Sequence, residues 1–501
     1  MRILPLCCFA LLALDASAAV ELAPLFTDHA VLQRDQPLPV WGRATPGETI
    51  TVTFHDQTAQ TTTAADGRWS VRLKPLAADI QPAELVVAGA NILTLRDVVV
   101  GDVWLASGQS NMEWPVNRTR DAAQEMAEAN FPLIRHLKIE HVSSPSRSEA
   151  VKAAGWRAAS PETVGGFTAV GYFFAREVHR KINVPIGIIH SSWGGTAIES
   201  WLSDSARNST SLAAKLAARW AQSKSEWTPE RIARYPADLA AWRKADAEAK
   251  ATKTKNLLPW PQPPATDDSP ALPGGLFNAM IAPLQPVALR GVLWYQGEGN
   301  ADHADEYAEL FSALIRTWRT EWDRRELPFY FVQIPNFADD DARGQKWAKL
   351  REAQAKALAL AATGMAVAID IGDPENIHPL NKQEVGRRLA LLALSRTYDR
   401  PEESSGPQFV RAVREGVALR VTFQHAGGLM ARDGPVQSVE VAGVDEIFHP
   451  ASAVIEREAL IVSSPAVPKP VAVRYAWSNA PTANLYNSAG LPAAPFRSDT
   501  R

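Results

Sequence analysis

The sequence predicts an α/β protein, with a mostly parallel sheet covered by helices on both faces and a β-rich module at each end. Three observations predict it. Near-continuous apolar runs such as VPIGIIHSSW (184–193), LRGVLWYQGE (289–298) and LPFYFVQIPNF (327–337) have the composition of strands buried on both faces. Amphipathic segments such as FTAVGYFFAREVHRKI (167–182) and YAELFSALIRTWRTEW (307–322) alternate with them, as crossover helices do. Before residue 101 and after Glu402 the texture changes to short strands separated by turns. A chain of 501 residues exceeds one ordinary core, and two to four domains are expected.

The N-terminus, MRILPLCCFALLALDASA, has one cation at Arg2, an apolar run from Ile3 to Leu14 and small residues at Ala16-Ser17-Ala18. That is the layout of a secretory signal peptide over residues 1–18, cleaved near Ala18. The apolar run is too short to span a bilayer of roughly 30 Å. Both cysteines, Cys7 and Cys8, fall inside it, too early for a lipid-anchor cysteine. The mature chain is then cysteine-free, which predicts a secreted or periplasmic bacterial protein without disulfides.

Residues 19–100 read as a small β-sandwich. After AVLQRDQPLPVWGRA comes a Pro46-Gly47 turn, then ETITVTF alternates with period two, and Asp66-Gly67 breaks before RWSVRL. Residues 101–400 carry the α/β pattern. Inside them, about 202–273 form an excursion rich in Ala, Lys, Arg and Glu up to Lys255, expected to be helical. It ends in the Pro-rich LLPWPQPPATDDSPALPGG, expected to be a structured loop or lid. Residues 401–501 return to β texture with ALRVTF, VQSVEVAG, ALIVSS and VAVRYAW. The net charge of −3, with no basic stripe, gives no pull toward nucleic acid or anionic membranes, and no later segment has the pattern of a membrane span.

The chemistry-bearing residues follow apolar strands. In GDVWLASGQSNMEW (101–114), Ser110 comes directly after a buried-looking strand, where ligands of open parallel sheets bind. A serine hydroxyl needs a base for its proton and donors for the oxyanion that forms on attack. Gly194-Gly195, in SSWGGTAIESW, place bare backbone N–H groups after a second strand. Gln296, Glu298 and Asn300, in WYQGEGN, follow a third, and Asn300 offers a side-chain amide donor. Gln109, Gln296 and Glu298 are candidate substrate contacts. In AVAIDIGDPENIHPLNKQEVGRRLA, His378 is flanked by Asp370, Asp373 and Glu375, as a catalytic base needs. Each stretch alone is equally a turn or a helix cap; together they supply a nucleophile, a base and oxyanion donors.

GQSNME, SSWGGTAIESW, LFNAMIAPL, LWYQGEGN and DIGDPENIHPLNKQEVGRRLA, in that order, resemble the sialate O-acetylesterase-like branch of the SGNH hydrolase superfamily. VLQRDQPLPVWGRATPGE and YAWSNAPTANLYNSAGLPAAPFRSD extend the resemblance over nearly the whole mature chain. The resemblance implies a flavodoxin-like three-layer α/β/α core with N- and C-terminal β-sandwich-like modules. It also implies removal of acetyl groups from sugar hydroxyls with no metal and no organic cofactor. Carried over by position, Ser110 is the nucleophile, and the oxyanion donors are the Ser110 and Gly195 N–H groups and the Asn300 side chain. His378 is the base. The wider superfamily places an Asp three residues before the His, where this chain has Glu375; Asp373 sits in the Gly-Asp-Pro turn. Asp373 is preferred as the acid, with Glu375 or a backbone carbonyl as alternatives. The expected substrate is an acetylated glycan, either plant cell-wall polysaccharide or sialic acid. A rival class, an exported carbohydrate-binding protein with an inert core, does not call for Ser, His and oxyanion donors together. A general lipase lacks support because no G-x-S-x-G elbow is present.

Overall fold

The structure is a computed structural model describing residues 19–252, 254, 256–339, 341 and 344–499. The expected signal peptide, residues 1–18, lies outside the described residues. The core sheet contains β1 (Ile92–Gly108), β2 (Phe131–Ile139), β3 (Ala153–Ala159), β4 (Ile186–Ser192), β5 (Gly291–Tyr295), β6 (Phe329–Gln333) and β7 (Thr363–Val367). Their order is β3-β2-β4-β1-β5-β6-β7. All neighbours are parallel except β2 and β3, an antiparallel pair at one edge. The apolar runs explain this placement: every residue of β4, β5, β6 and β7 is buried, as strands covered on both faces require.

Alternate side chains of these strands enter two separate cores. Trp104, Ala106, Ile188, Leu293 and Tyr330 pack with α2 (Ala169–Ile182) and with α5 (Lys382–Arg396), through Phe173, Phe174 and Leu389. On the other face, Val103, Leu105, Ile189, Val292 and Phe331 pack with α3 (Ala304–Glu321) and α4 (Lys346–Ala355), through Leu310, Trp318 and Trp347. The single-turn α1 (Ser110–Glu113) follows β1 directly. The boundaries of α2 follow from its sequence. The Thr168 hydroxyl accepts the Gly171 N–H as an N-cap, the last turn is basic, and Asn183 ends the helix in the left-handed region at φ 52°.

β1 has two halves with different partners. Its first half pairs antiparallel with Asp79–Ala88 and parallel with Val31–Gln33, in the N-terminal β-module; its second half pairs with β4 and β5. Residue 100, where the sequence divides into β-sandwich and α/β texture, therefore lies inside one continuous strand. Strict alternation in Thr49–Phe54 and Arg68–Leu73 buries Ile50, Val52 and Phe54, and Trp69, Val71 and Leu73, inside the N-terminal module.

The excursion after Leu202 contains the helices Ala213–Ser225 and Pro229–Thr252 and then the Pro-rich segment. Arg219 fastens it to the core through Glu306 (2.7 and 2.8 Å) and Glu199 (3.1 Å), while Trp242 donates to Leu258 O (3.0 Å). The described C-terminal residues form two four-stranded antiparallel sheets and a two-stranded antiparallel pair, Met430–Ala431 with Leu485–Tyr486. They grip the core through fully buried Arg351, whose guanidinium donates to Ser478 O (2.8 Å) and Asn479 O (2.7 Å). Among the described residues no helix is long and apolar enough to cross a membrane.

Candidate active site

β1, β4 and β5 end together: Gly108 is opposite Ser192 on one side and Tyr295 on the other. Parallel strands ending in register deliver their following loops to one edge, at the point where the strand order reverses. Gln109–Ser110, Trp193–Gly195 and Gln296–Asn300 therefore meet there. Gly108 makes the first turn possible. Its φ is +134°, and a Cβ on it would sit 2.1 Å from the Tyr295 carbonyl oxygen. That carbonyl accepts the Gln109 N–H (2.9 Å), and α1 starts at once with Ser110.

The loop after β7 brings His378 back across two strands. Its Nε2 lies 2.8 Å from Ser110 Oγ, joining residues 268 positions apart in the chain. Trp114 stacks on the imidazole, with ring centroids 4.8 Å apart and planes 17° from parallel. The acids near His378 have distinct settings. The Asp370 carboxylate is enclosed and held by Arg388 (2.6 and 2.7 Å) and the Tyr486 hydroxyl (3.0 Å). Asp373 accepts the Glu375 N–H (2.9 Å) in an exposed turn, and the Asn376 side chain accepts the His378 N–H (3.0 Å).

The glycine loop is positioned by Glu113. One carboxylate oxygen accepts the Gly194 N–H (2.8 Å), and the other lies 2.9 Å from His141 Nε2. Burial alone would raise the Glu113 carboxyl, but His141 and the Gly194 N–H outweigh it and hold the carboxyl below its usual range. Gly195 adopts φ +75°, the left-handed region. His141 in turn stacks on Trp193 (4.4 Å, 7°).

The polar residues after β5 bond to one another and to neighbouring loops. Asn300 Oδ1 accepts from the Ile198 N–H (2.8 Å) and Gln296 Nε2 (2.7 Å), and its Nδ2 donates to Glu199 (2.8 Å). Asn300 thus ties its own loop to the segment just beyond Gly195. Gln296 is fully buried, donating also to Thr196 O and accepting from the Tyr307 hydroxyl (2.8 Å). Gln109 Oε1 accepts the Gly297 and Gly299 N–H groups (3.3 and 3.1 Å). Glu298 accepts from Asn111 Nδ2 (2.6 Å). Gln109, Gln296 and Glu298, expected as substrate contacts, are all buried and join the loops around Ser110.

Sequence reasoning did not single out Asn111, Glu113, Trp114, His141 or Lys382. Asn111, Glu113 and Trp114 lie inside the quoted GQSNMEW, so spacing from Ser110 was the available signal. Nothing in a lysine opening an amphipathic helix signals burial, yet Lys382 is fully buried and donates to Asn111 Oδ1. Burial pushes Lys382 down to about 7, against the opposing pull of Glu298, and pushes the Glu298 carboxyl up. Among the described residues, no group of three or more His, Cys, Asp or Glu could hold a metal ion.

A hydroxyl within hydrogen-bond reach of an imidazole, beside backbone N–H groups at a strand end, is a geometry suited to acyl transfer. Comparison with known proteins agrees with that chemistry. The chain matches the family described as carbohydrate esterase, sialic acid-specific acetylesterase over residues 100–250 and 270–395. It is 28% identical to the sialate O-acetylesterase of Mus musculus, over 96% of this chain and 95% of that protein. Identity to the Homo sapiens sialate O-acetylesterase is 27%, over 96% and 93%. The crystal structure of a carbohydrate acetylesterase from Xanthomonas citri superposes with a TM-score of 0.83 at 41% identity, covering 96% of this chain and all of that one. These likenesses define a carboxylic ester hydrolase of the carbohydrate-esterase class. Within that class, the chain belongs to the sialic acid-specific acetylesterase family.

Proposed function

We propose that the chain is an exported serine O-acetylesterase that removes acetyl groups from glycan hydroxyls through an acetyl-serine intermediate. The observation that carries the proposal is the 2.8 Å contact between Ser110 Oγ and His378 Nε2 at the sheet's carboxyl edge. His378 takes the Ser110 proton as Oγ attacks the acetyl carbonyl. The Ser110 and Gly195 N–H groups and the Asn300 amide stabilise the oxyanion of the tetrahedral intermediate. Collapse breaks the bond to the sugar oxygen, which leaves as an alcohol with the proton from His378. Water, deprotonated by the same imidazole, then attacks the acetyl-serine, and acetate and the free hydroxyl are restored. Asp373 is the preferred carboxylate for steadying the imidazolium and Glu375 the alternative, since Asp370 is committed to Arg388 and Tyr486.

The strand order supports an SGNH-type core. With the β2/β3 edge pair set aside, the order β4-β1-β5-β6-β7 corresponds to the flavodoxin-like 2-1-3-4-5. The leader-like N-terminus and the cysteine-free remainder support export to the periplasm or beyond. The names of the relatives, a sialate O-acetylesterase and a carbohydrate acetylesterase, support an acetylated carbohydrate as the substrate, and we propose sialic acid or a plant cell-wall polysaccharide such as xylan or xyloglucan as its two candidate sources. Acetate release from O-acetyl sialic acid, acetylated xylan, xyloglucan and pectin, measured side by side, distinguishes them. Ser110→Ala is expected to abolish hydrolysis of every active substrate and labelling by a fluorophosphonate. Wild-type cleavage of an aryl acetate by purified Ser110→Ala would refute the proposal.

A further inference from the structure

Behind the nucleophile lies a buried polar cluster to which the steps above assign nothing. Asn111, next to Ser110, and Lys382 are both fully buried, and Glu298 is buried beside them. A lysine ammonium has only donors, so Lys382 Nζ against Asn111 places the amide with Oδ1 toward the start of α5 and Nδ2 away from it. Nδ2 then donates to Glu298 Oε1 (2.6 Å) and to the backbone carbonyl of Ile377 (3.0 Å). Ile377 directly precedes His378. One side chain therefore joins the turn bearing the nucleophile, the loop after β5, the loop bearing the base and the first residue of α5.

We infer that Asn111 is a positioning residue that holds Ser110 and His378 in mutual register, with Lys382 and Glu298 orienting its amide. The inference rests on the proposed roles of Ser110 and His378. The chemistry of the cluster suits a fixed clamp. Burial disfavours the ammonium and the carboxylate alike, and the two groups together sum to zero charge whether both are ionised or both are neutral. Either form keeps both bonds, because an amine still donates to Oδ1 and a protonated carboxyl still accepts at its carbonyl oxygen. Buried charged groups are poor stabilisers compared with apolar packing, so the value of this cluster lies in geometry. The bonds also account for the orientation: with the amide turned over, Nδ2 would face the Lys382 donors and Oδ1 would face two acceptors.

The test uses the full-length chain and an aryl acetate. Asn111→Ala is expected to lower kcat about a hundredfold, the effect of misplacing a reacting group by about 1 Å, with KM within about twofold. Fluorophosphonate labelling of Ser110 should slow in proportion. Lys382→Gln keeps a donor for Oδ1 and should stay near wild type, whereas Lys382→Met removes it and should lose about tenfold in kcat. Folded Asn111→Ala with wild-type kcat overturns the inference; if that variant does not fold, equal kcat values for the two Lys382 variants overturn it instead. An inactive Ser110→Ala alongside a fully active Asn111→Ala removes the clamp alone. An active Ser110→Ala removes the serine mechanism beneath it.

Discussion

Gly108→Ala tests whether the turn after β1 sets the position of Ser110. The new Cβ would lie 2.1 Å from the Tyr295 carbonyl oxygen, with that residue's carbonyl carbon at 2.7 Å. These are backbone atoms of the neighbouring core strand, so no side-chain rotation relieves the clash. Contacts of this kind become tolerable only after opening by about 1 Å, and a shift of about 1 Å in a reacting group costs about a hundredfold in rate. The φ of +134° adds strain for any residue with a side chain, of about 1–3 kcal/mol. The Tyr295 carbonyl also accepts the Gln109 N–H, so pushing the strands apart strains the bond that opens the turn bearing Ser110. Expected results are a drop in kcat of about a hundredfold on an aryl acetate and a lower urea midpoint at unchanged slope. Near-wild-type kcat and an unchanged midpoint would refute the assignment of Gly108 as the residue that sets Ser110.

Asn300→Ala removes a proposed oxyanion donor and the tie to the segment beyond Gly195; kcat should fall on the order of a hundredfold or more. The chain should still fold, because Gln296 and Glu199 retain Thr196 O and Arg219 as partners; an unchanged kcat would exclude the donor role. The depressed Lys382 predicts a pH dependence of stability. Its folded value of about 7 lies below the ordinary 10.5, so between these limits the unfolded chain binds more protons and stability rises with pH. Glu298, shifted upward, contributes the opposite slope, from its ordinary 4.5 up to its raised folded value. Lys382→Met should therefore flatten the alkaline rise in urea midpoint, and an unaltered rise would show that Lys382 titrates normally in the fold.

Ser110 and His378, which the fold brings to within 2.8 Å of each other, stood out in the sequence because each follows an apolar strand and is of a residue type that acyl transfer requires. The same logic did not reveal which protein groups the other polar residues bond to. Gln296 and Glu298 look identical on the page whether they face a ligand or a neighbouring loop; which it is depends on Thr196, Tyr307 and Asn111, which come from other segments. Lys382 was illegible for a related reason, since burial of a helix-opening lysine is a property of the packed loops and not of its neighbours in sequence. The change of texture at Gly101 invited a domain boundary there. Gly101 is small for another reason: a Cβ on it would meet the Pro185 carbonyl at 2.1 Å, so the glycine lets β1 run past the strand entry beside it. Asp102, a charge that looks like a strand end, is fully buried between Arg34 and Arg290 (3.0 and 2.8 Å).

Because β1 is unbroken, one continuous strand joins the N-terminal module to the turn bearing Ser110. From Val98 to Gly108 it runs roughly 33 Å at a strand's rise per residue. It is clamped by the antiparallel strand at one end and by β4 and β5 at the other. A module mounted in this way cannot swing toward the esterase centre or away from it as one on a linker would. The surface of the N-terminal module is held at a fixed offset and angle from Ser110. The distance between the two is built into the backbone, like the spacing between the jaws of a fixed gauge.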